Sequence, residues 1–86
     1  MPKICEFFGI MIYMYFDDHD PAHFHAIYAE YEALIRIDDL TIIKGRLPSR
    51  AYGLVVEWAS KHKTELKQNW KKVSNLQSPN KIEPLK

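Results

Sequence analysis

Apolar and polar residues follow two different spacings along this chain, and the change falls near residue 45. Before it, short runs rich in Ile, Phe, Tyr and Met are separated by glycine, proline and acidic residues. Such runs are typical of β-strands bounded by turns. They predict strands over residues 3–8, 10–16, 23–29 and 32–38, and a short fifth strand over 41–44. The first half is therefore predicted to form an antiparallel β-sheet of four or five strands.

After a connector over residues 45–49, apolar residues recur at spacings of three and four, the period of an amphipathic helix. Pro48 suits the first helical turn, with Ser49 as an alternative cap. The pattern predicts one long C-terminal helix over residues 50–73, with a break near His62 as the alternative. The apolar stripe consists of Ala51, Leu54, Val55, Trp58, Ala59, His62, Leu66, Trp70 and Val73. The predicted fold class is α+β.

Length and the last residues set the predicted domain organisation. The chain has 86 residues, enough for one domain. Residues 1–73 are predicted to form this single α+β domain. Residues 74–86 contain two prolines and few large apolar groups, so they are predicted to be a flexible tail. A homodimer is one way to enlarge so small a core.

Cysteine content and hydropathy indicate the cellular compartment of the protein. Cys5 is the only cysteine, so the chain cannot form an internal disulfide. The apolar stretch from Ile4 to Phe16 is shorter than the roughly 20 residues of a membrane span. The chain opens with Met1-Pro2-Lys3 rather than a signal-peptide pattern. These features predict a cytoplasmic protein with no membrane partner.

The net charge of +1 conceals an acidic and a basic half. Residues 1–39 contain two basic and eight acidic side chains, whereas residues 40–86 contain ten basic and three acidic ones. Lys63, Lys67 and Lys71 form a basic ridge on the predicted helix. This ridge is either an ordinary solvated face or a nucleic-acid-binding surface.

Candidate chemistry is concentrated in one segment, where His19, His23 and His25 occur within seven residues among three aspartates. In a strand, His23 and His25 would share one face, roughly 6.5–7 Å apart. His19 lies in the preceding loop and could fold back over them. His62, on the helix stripe, is the expected addition from the helical side. These four histidines form the predicted site.

Three interpretations of this site are open. His19, His23 and His25 could bind a divalent metal such as zinc, which favours neutral imidazole with carboxylate neighbours. Alternatively, two histidines could act as general acid and base without a metal, as in phosphodiester cleavage of RNA. The third interpretation is structural, with imidazoles that bond backbone carbonyls and cap the sheet.

A combination of motifs resembles the small prokaryotic domain-of-unknown-function family 4160. The motifs are the segment Asp-His-Asp-Pro-Ala-His-Phe-His, the connector Gly-Arg-Leu-Pro, and a helix with Glu57-Trp58-Ala59 followed by His62, Glu65, Leu66 and Trp70. The resemblance covers about residues 2–73. The family usually has two prolines where this chain has Pro21 and Ala22.

The resemblance implies that the protein has a protein partner, and it does not imply a particular enzymatic reaction. Family members are often encoded beside another small protein, and the pair is sometimes suspected of forming a toxin–antitoxin-type module. The leading hypothesis is thus a small accessory or interaction protein of a two-gene module. The alternatives are a metal-dependent or histidine-based hydrolase, such as a ribonuclease, and a nucleic-acid-binding regulator. The sequence does not decide whether the protein is an enzyme.

Overall fold

Five short strands follow one another along the first half of the chain and pair in the same order. The computed structural model describes residues 2–16 and 18–86, and in it each strand is antiparallel to its neighbour. The strands are β1 (Lys3–Phe7), β2 (Ile10–Tyr13), β3 (His23–Tyr28), β4 (Tyr31–Arg36) and β5 (Ile42–Gly45). The predicted antiparallel sheet is confirmed, and it has five strands.

The turn between β1 and β2 consists of Phe8 and Gly9. Both have positive φ, +50° and +80°, which is the backbone of the tightest hairpin turns. Gly45, also at φ +80°, is required by close packing, because a Cβ there would overlap the Glu32 carbonyl oxygen. Gly9 therefore permits the tight turn, and Gly45 permits the close approach of β4 and β5.

The sheet has two different faces because successive residues of a strand point in opposite directions. Phe24 and Ala26 of β3 are fully buried on the face that contacts the helices. His25 and Ile27 therefore lie on the opposite face. There, His25 pairs with Tyr13 of β2 and with Leu34 of β4. This second face is only partly buried, and it carries the candidate site.

Two helices, rather than the one long helix predicted, follow the sheet. They are α1 (Ser49–Ser60) and α2 (Lys63–Ser74), and the chain leaves helical geometry at His62, with φ −130° and ψ 24°. A continuous helix over these 26 residues would be about 39 Å long. The longest extent of the whole molecule is 33 Å. The break near His62 thus lets both halves of the apolar stripe pack on one small sheet.

The core lies between the sheet and these helices. Val55, Trp58 and Leu66 from the predicted stripe are fully buried, whereas Leu54 and Trp70 are half-buried. None of the helices in the described part of the chain is long and apolar enough to span a bilayer.

The segment after α2, for which the sequence predicts a flexible tail, lies against this core. Ile82 is 5% exposed, and its N–H donates to the Ile4 carbonyl oxygen at the edge of β1 (2.9 Å). The Trp58 indole N–H donates to the Glu83 carbonyl oxygen at 2.7 Å. These contacts depend on groups far away in the sequence, which the local composition does not reveal.

Candidate functional site

Two histidines of β3 and one aspartate of the preceding loop come together at one end of the sheet. His23 and His25 are separated by one residue of a strand, so their side chains project on the same side. Their ring centroids are 5.2 Å apart. Asp18 lies five residues before β3 and reaches both rings. One atom from each of these three residues lies within 4.8 Å of the other two.

Both imidazoles face the same oxygen atom. Asp18 Oδ2 is 3.0 Å from His23 Nε2 and 3.1 Å from His25 Nε2. The His25 contact has hydrogen-bond geometry. The His23 contact does not, so within the described residues His23 Nε2 is a buried nitrogen without a hydrogen-bond partner. Such unpaired buried polar atoms are rare in folded proteins and call for an explanation.

The other nitrogen of each ring is held by a hydrogen-bond acceptor. His23 Nδ1 is 2.8 Å from the Pro21 carbonyl oxygen, and His25 Nδ1 is 3.2 Å from Glu32 Oε2. Glu32 is close because β4 places it diagonally across from His25 on the same face of the sheet. The contacts of the Nδ1 atoms thus orient both rings so that each Nε2 atom is directed at Asp18.

These contacts constrain where the protons are. A carbonyl oxygen only accepts hydrogen bonds, so His23 Nδ1 must carry the hydrogen. In neutral His23, Nε2 then carries no hydrogen, and its lone pair faces the negatively charged Asp18 oxygen. The same conflict arises at His25 if its Nδ1 donates to Glu32. At His23 the arrangement is favourable only if the ring is protonated or a cation lies between Nε2 and the carboxylate, whereas neutral His25 can instead donate its Nε2–H to Asp18.

The electrostatics of Asp18 follow from the same neighbours. Partial burial by itself would raise the pKa of this carboxyl group. The hydrogen bonds from His25 and from the His19 backbone N–H, together with electrostatic interaction with His23 and His25, outweigh burial and lower the Asp18 pKa below its ordinary value. Asp18 is therefore a carboxylate over the whole neutral range.

Aromatic side chains enclose the pair of rings. Tyr15 packs edge-on against His25, with centroids 4.2 Å apart, and Trp70 of α2 packs against His23 at 5.2 Å. His23 is only 5% exposed, whereas Asp18 is half-buried and reaches the surface. The site is therefore dry on the His23 side and open to water beside Asp18.

Two of the four predicted site histidines lie elsewhere. The His19 side chain is exposed, and only its backbone N–H contacts Asp18 (3.0 Å). His62 lies at the break between the helices, where its Nδ1 is 2.6 Å from Glu65 Oε1 and its ring packs against Trp58. Among the residues that the structure describes, the group of possible metal ligands consists of Asp18, His23 and His25 and contains neither of these two histidines.

Two lysines of the basic ridge (Lys63, Lys67 and Lys71) contact other parts of the same chain. Lys63 Nζ donates to the Asp38 carbonyl oxygen at 2.7 Å, and Lys67 Nζ is 3.8 Å from Asp38 Oδ1. Both contacts connect α2 to the turn after β4. Two of the three lysines therefore have an intramolecular role.

Asp18 and Glu32 are the residues of the candidate site that the sequence did not single out. Asp18 is one of three aspartates in its loop, and the sequence alone does not distinguish which of them turns towards the strand. Glu32 could have been found from strand register, because a β3–β4 hairpin that turns at residues 29–30 places it diagonally across from His25.

The sheet, with the helical core on one face and the histidine–aspartate group on the other beside Trp70 of α2, defines a small two-layer α+β domain with a candidate metal centre. The chain belongs to the family described as domain of unknown function DUF4160, whose family model matches residues 9–71. The match contains the three residues of the centre and Glu32. Searches of curated proteins and of solved structures found no significant match.

Proposed function

We propose that this protein is a metal-binding domain that holds one divalent ion of the zinc class with Asp18 Oδ2, His23 Nε2 and His25 Nε2. Two imidazole nitrogens and one carboxylate oxygen form a common donor set for zinc and for other first-row transition metals. This ligand set replaces the predicted set of His19, His23 and His25, with Asp18 in the place of His19.

One observation carries the proposal: the two Nε2 atoms converge on one carboxylate oxygen, and His23 Nε2 is buried without a hydrogen-bond partner. A bound cation would remove the repulsion between His23 Nε2 and Asp18 Oδ2. Ligands 2.0–2.2 Å from a tetrahedral ion are separated from one another by about 3.3 Å. The Asp18–His23 and Asp18–His25 separations of 3.0 and 3.1 Å are close to that value.

The groups bound to the Nδ1 atoms support the same proposal. Histidines that ligate metals almost always donate their other N–H to a carboxylate or a backbone carbonyl. Here, Glu32 and the Pro21 carbonyl oxygen have these positions. The acid–base alternative is less well supported, because a general base needs access to substrate and His23 is almost fully buried.

Three protein ligands leave at least one position for water or substrate, as in catalytic zinc sites. A divalent ion lowers the pKa of bound water and so supplies hydroxide at neutral pH. This chemistry suits the hydrolase hypothesis. An ion that only stabilises a small domain suits the interaction-protein hypothesis. Cleavage of RNA that requires both added zinc and Asp18 would favour the hydrolase.

The direct test is a zinc titration of protein made without a histidine tag and stripped with a chelator. We expect one zinc per chain, and a loss of affinity of more than about 100-fold in Asp18→Asn and in His23→Gln. His19→Gln is the matched control, because it removes an imidazole of the same segment that the structure leaves outside the centre. Equal affinity in all four proteins, or a loss in His19→Gln alone, would contradict the proposed ligand set.

A second variant tests how His25 is held. Glu32→Gln should lower zinc affinity about 10- to 100-fold, because the amide no longer fixes the charge and orientation of His25. Glu30→Gln, an exposed change in the neighbouring turn, is the control. If both changes have the same effect, Glu32 does not support the centre.

A further inference from the structure

A second concave site lies on the opposite face of the sheet from the metal centre. It is a cavity of about 600 Å³ between the tip of the β1–β2 hairpin and the start of α1. Its walls are formed by Phe8, Ile10, Tyr28, Pro48, Arg50, Ala51 and Leu54. Ile10 and Tyr28 are paired on the helix-facing side of β2 and β3, whereas His25 points to the other side. The cavity is therefore separate from Asp18, His23 and His25.

The walls are mainly apolar, and one of them is an exposed aromatic ring. Phe8, at the hairpin tip, is 58% exposed. The ring adds apolar surface to a concave site, and small-molecule sites are concave and lined mainly by apolar side chains with a few polar groups. Leu54 and Tyr28 are half-buried beside it and provide further apolar surface.

The only charged group that lines this cavity within the described residues is a cation. Arg50 is exposed, and no acidic side chain of the described chain forms an ion pair with it. The first turn of α1 contains no acidic residue, and no side chain caps it. The helix dipole therefore adds to the positive potential of Arg50. An occupant with one anionic group would complement this end of the cavity.

The size of the site favours a small molecule over a protein surface. Stable protein interfaces contain roughly 20–30 residues on each side, whereas seven residues line this cavity. Its volume falls in the range of roughly 300–1,000 Å³ that is usual for small-molecule sites. We propose that the cavity binds a small apolar carboxylic acid, with the aliphatic or aromatic body between Phe8 and Leu54 and the carboxylate on Arg50.

Three probes with the same apolar body test the charge requirement: phenylbutyrate, phenylbutanol and phenylbutylamine. Each is titrated into the full chain and followed by amide NMR shifts, with chelator present so that no carboxylate binds through a metal. We expect saturable binding of phenylbutyrate, with shifts around Phe8 and residues 49–54, and about tenfold weaker binding of the alcohol and the amine.

Variants test the assigned residues. Arg50→Gln should weaken phenylbutyrate about tenfold and leave phenylbutanol unchanged, whereas Lys61→Gln, at the other end of α1, should change neither. Phe8→Ser should weaken all probes that bind. The proposal is overturned if the three probes bind the parent protein equally, if none binds saturably, or if the shifts map to the other face of the sheet. Because the probe comparison uses the parent protein, it decides the question even where a variant fails to fold.

Discussion

His23 and His25 differ from the other two histidines in where their Nε2 atoms point. An acceptor near Nδ1 is not enough to distinguish them, because His62 Nδ1 also contacts a carboxylate, that of Glu65. What distinguishes the pair is that both Nε2 atoms meet Asp18 Oδ2. At the residue scale, the candidate site is thus defined by two Nε2 atoms that converge on one carboxylate oxygen rather than by the number of histidines in a segment.

The lowered pKa of Asp18 predicts a specific dependence of stability on pH in metal-free protein. A carboxyl group with a lower pKa in the folded state stabilises the fold fully above its ordinary pKa of 3.8, and this contribution is lost as pH falls through the lowered value. We expect the difference in free energy of unfolding between the parent and Asp18→Asn to shrink as pH falls from about 5 to about 2. Urea unfolding at a series of pH values measures it.

Asp20→Asn is the control for this pH series, because Asp20 is exposed in the same loop. A difference between the parent and Asp18→Asn that stays constant or grows on acidification would show that the imidazoles do not stabilise the Asp18 carboxylate.

At the scale of elements, Trp58 of α1 connects the helical layer to the sheet. Its ring packs against Phe7 of β1 (5.3 Å between centroids) and Phe24 of β3 (5.9 Å). The ring is fully buried, and its N–H is satisfied by the Glu83 carbonyl oxygen. One side chain therefore contacts two strands and the C-terminal segment.

Trp58→Ala should lower the free energy of unfolding by about 3–5 kcal/mol, because it removes a large buried ring and leaves a cavity. Trp58→Phe should cost less, since it keeps most of the apolar contact and loses only the hydrogen bond to Glu83. Chemical denaturation measures both. Curves that overlay that of the parent would show that this face of α1 is not packed on the sheet.

At the scale of the whole molecule, the C-terminal segment completes a core that is small for an independent domain. Asn69 of α2 is buried, and its amide both donates to the Asn80 carbonyl oxygen (2.8 Å) and accepts from the Asn80 N–H (2.9 Å). Ile82 then fills the edge beside β1. The segment thus satisfies a buried amide and covers apolar surface at the same time.

Deletion of residues 79–86 should therefore lower the free energy of unfolding by at least about 2 kcal/mol, the usual minimum for loss of a buried Ile side chain. Leu76→Ala, an exposed change just before the segment, should stay within about 0.5 kcal/mol of the parent. Denaturant unfolding of both proteins makes the comparison. A deletion no more destabilising than Leu76→Ala would show that the segment does not pack in solution.

Asn69 offers an independent test of the same contacts. Asn69→Leu should destabilise the full chain, where it leaves the Asn80 backbone groups without partners, more than the shortened chain, where those groups are absent. Equal effects in the two backgrounds would contradict the proposed role of the segment.

The sequence by itself determined the elements of this protein and the family to which it belongs. Apolar residues at alternate positions indicate a strand with one buried face, and apolar residues spaced three or four apart indicate a helix with one buried face. Both patterns depend only on the local geometry of the element. A sheet of four or five strands and the apolar stripe through Trp58 were therefore predictable. His23 and His25 were predictable as neighbours on one face for the same reason.

Tertiary structure decided what depends on contacts between distant residues. The helical region breaks at His62, and this lets Trp58 of α1 and Leu66 of α2 pack into one core. The contacts of residues 80–83 require groups of Ile4, Trp58 and Asn69, which are distant in the chain. Asp18 and Glu32 join the candidate centre, and His19 and His62 do not, because a loop conformation and a strand register set the positions of their side chains. Neither is encoded in the spacing of residues along the chain.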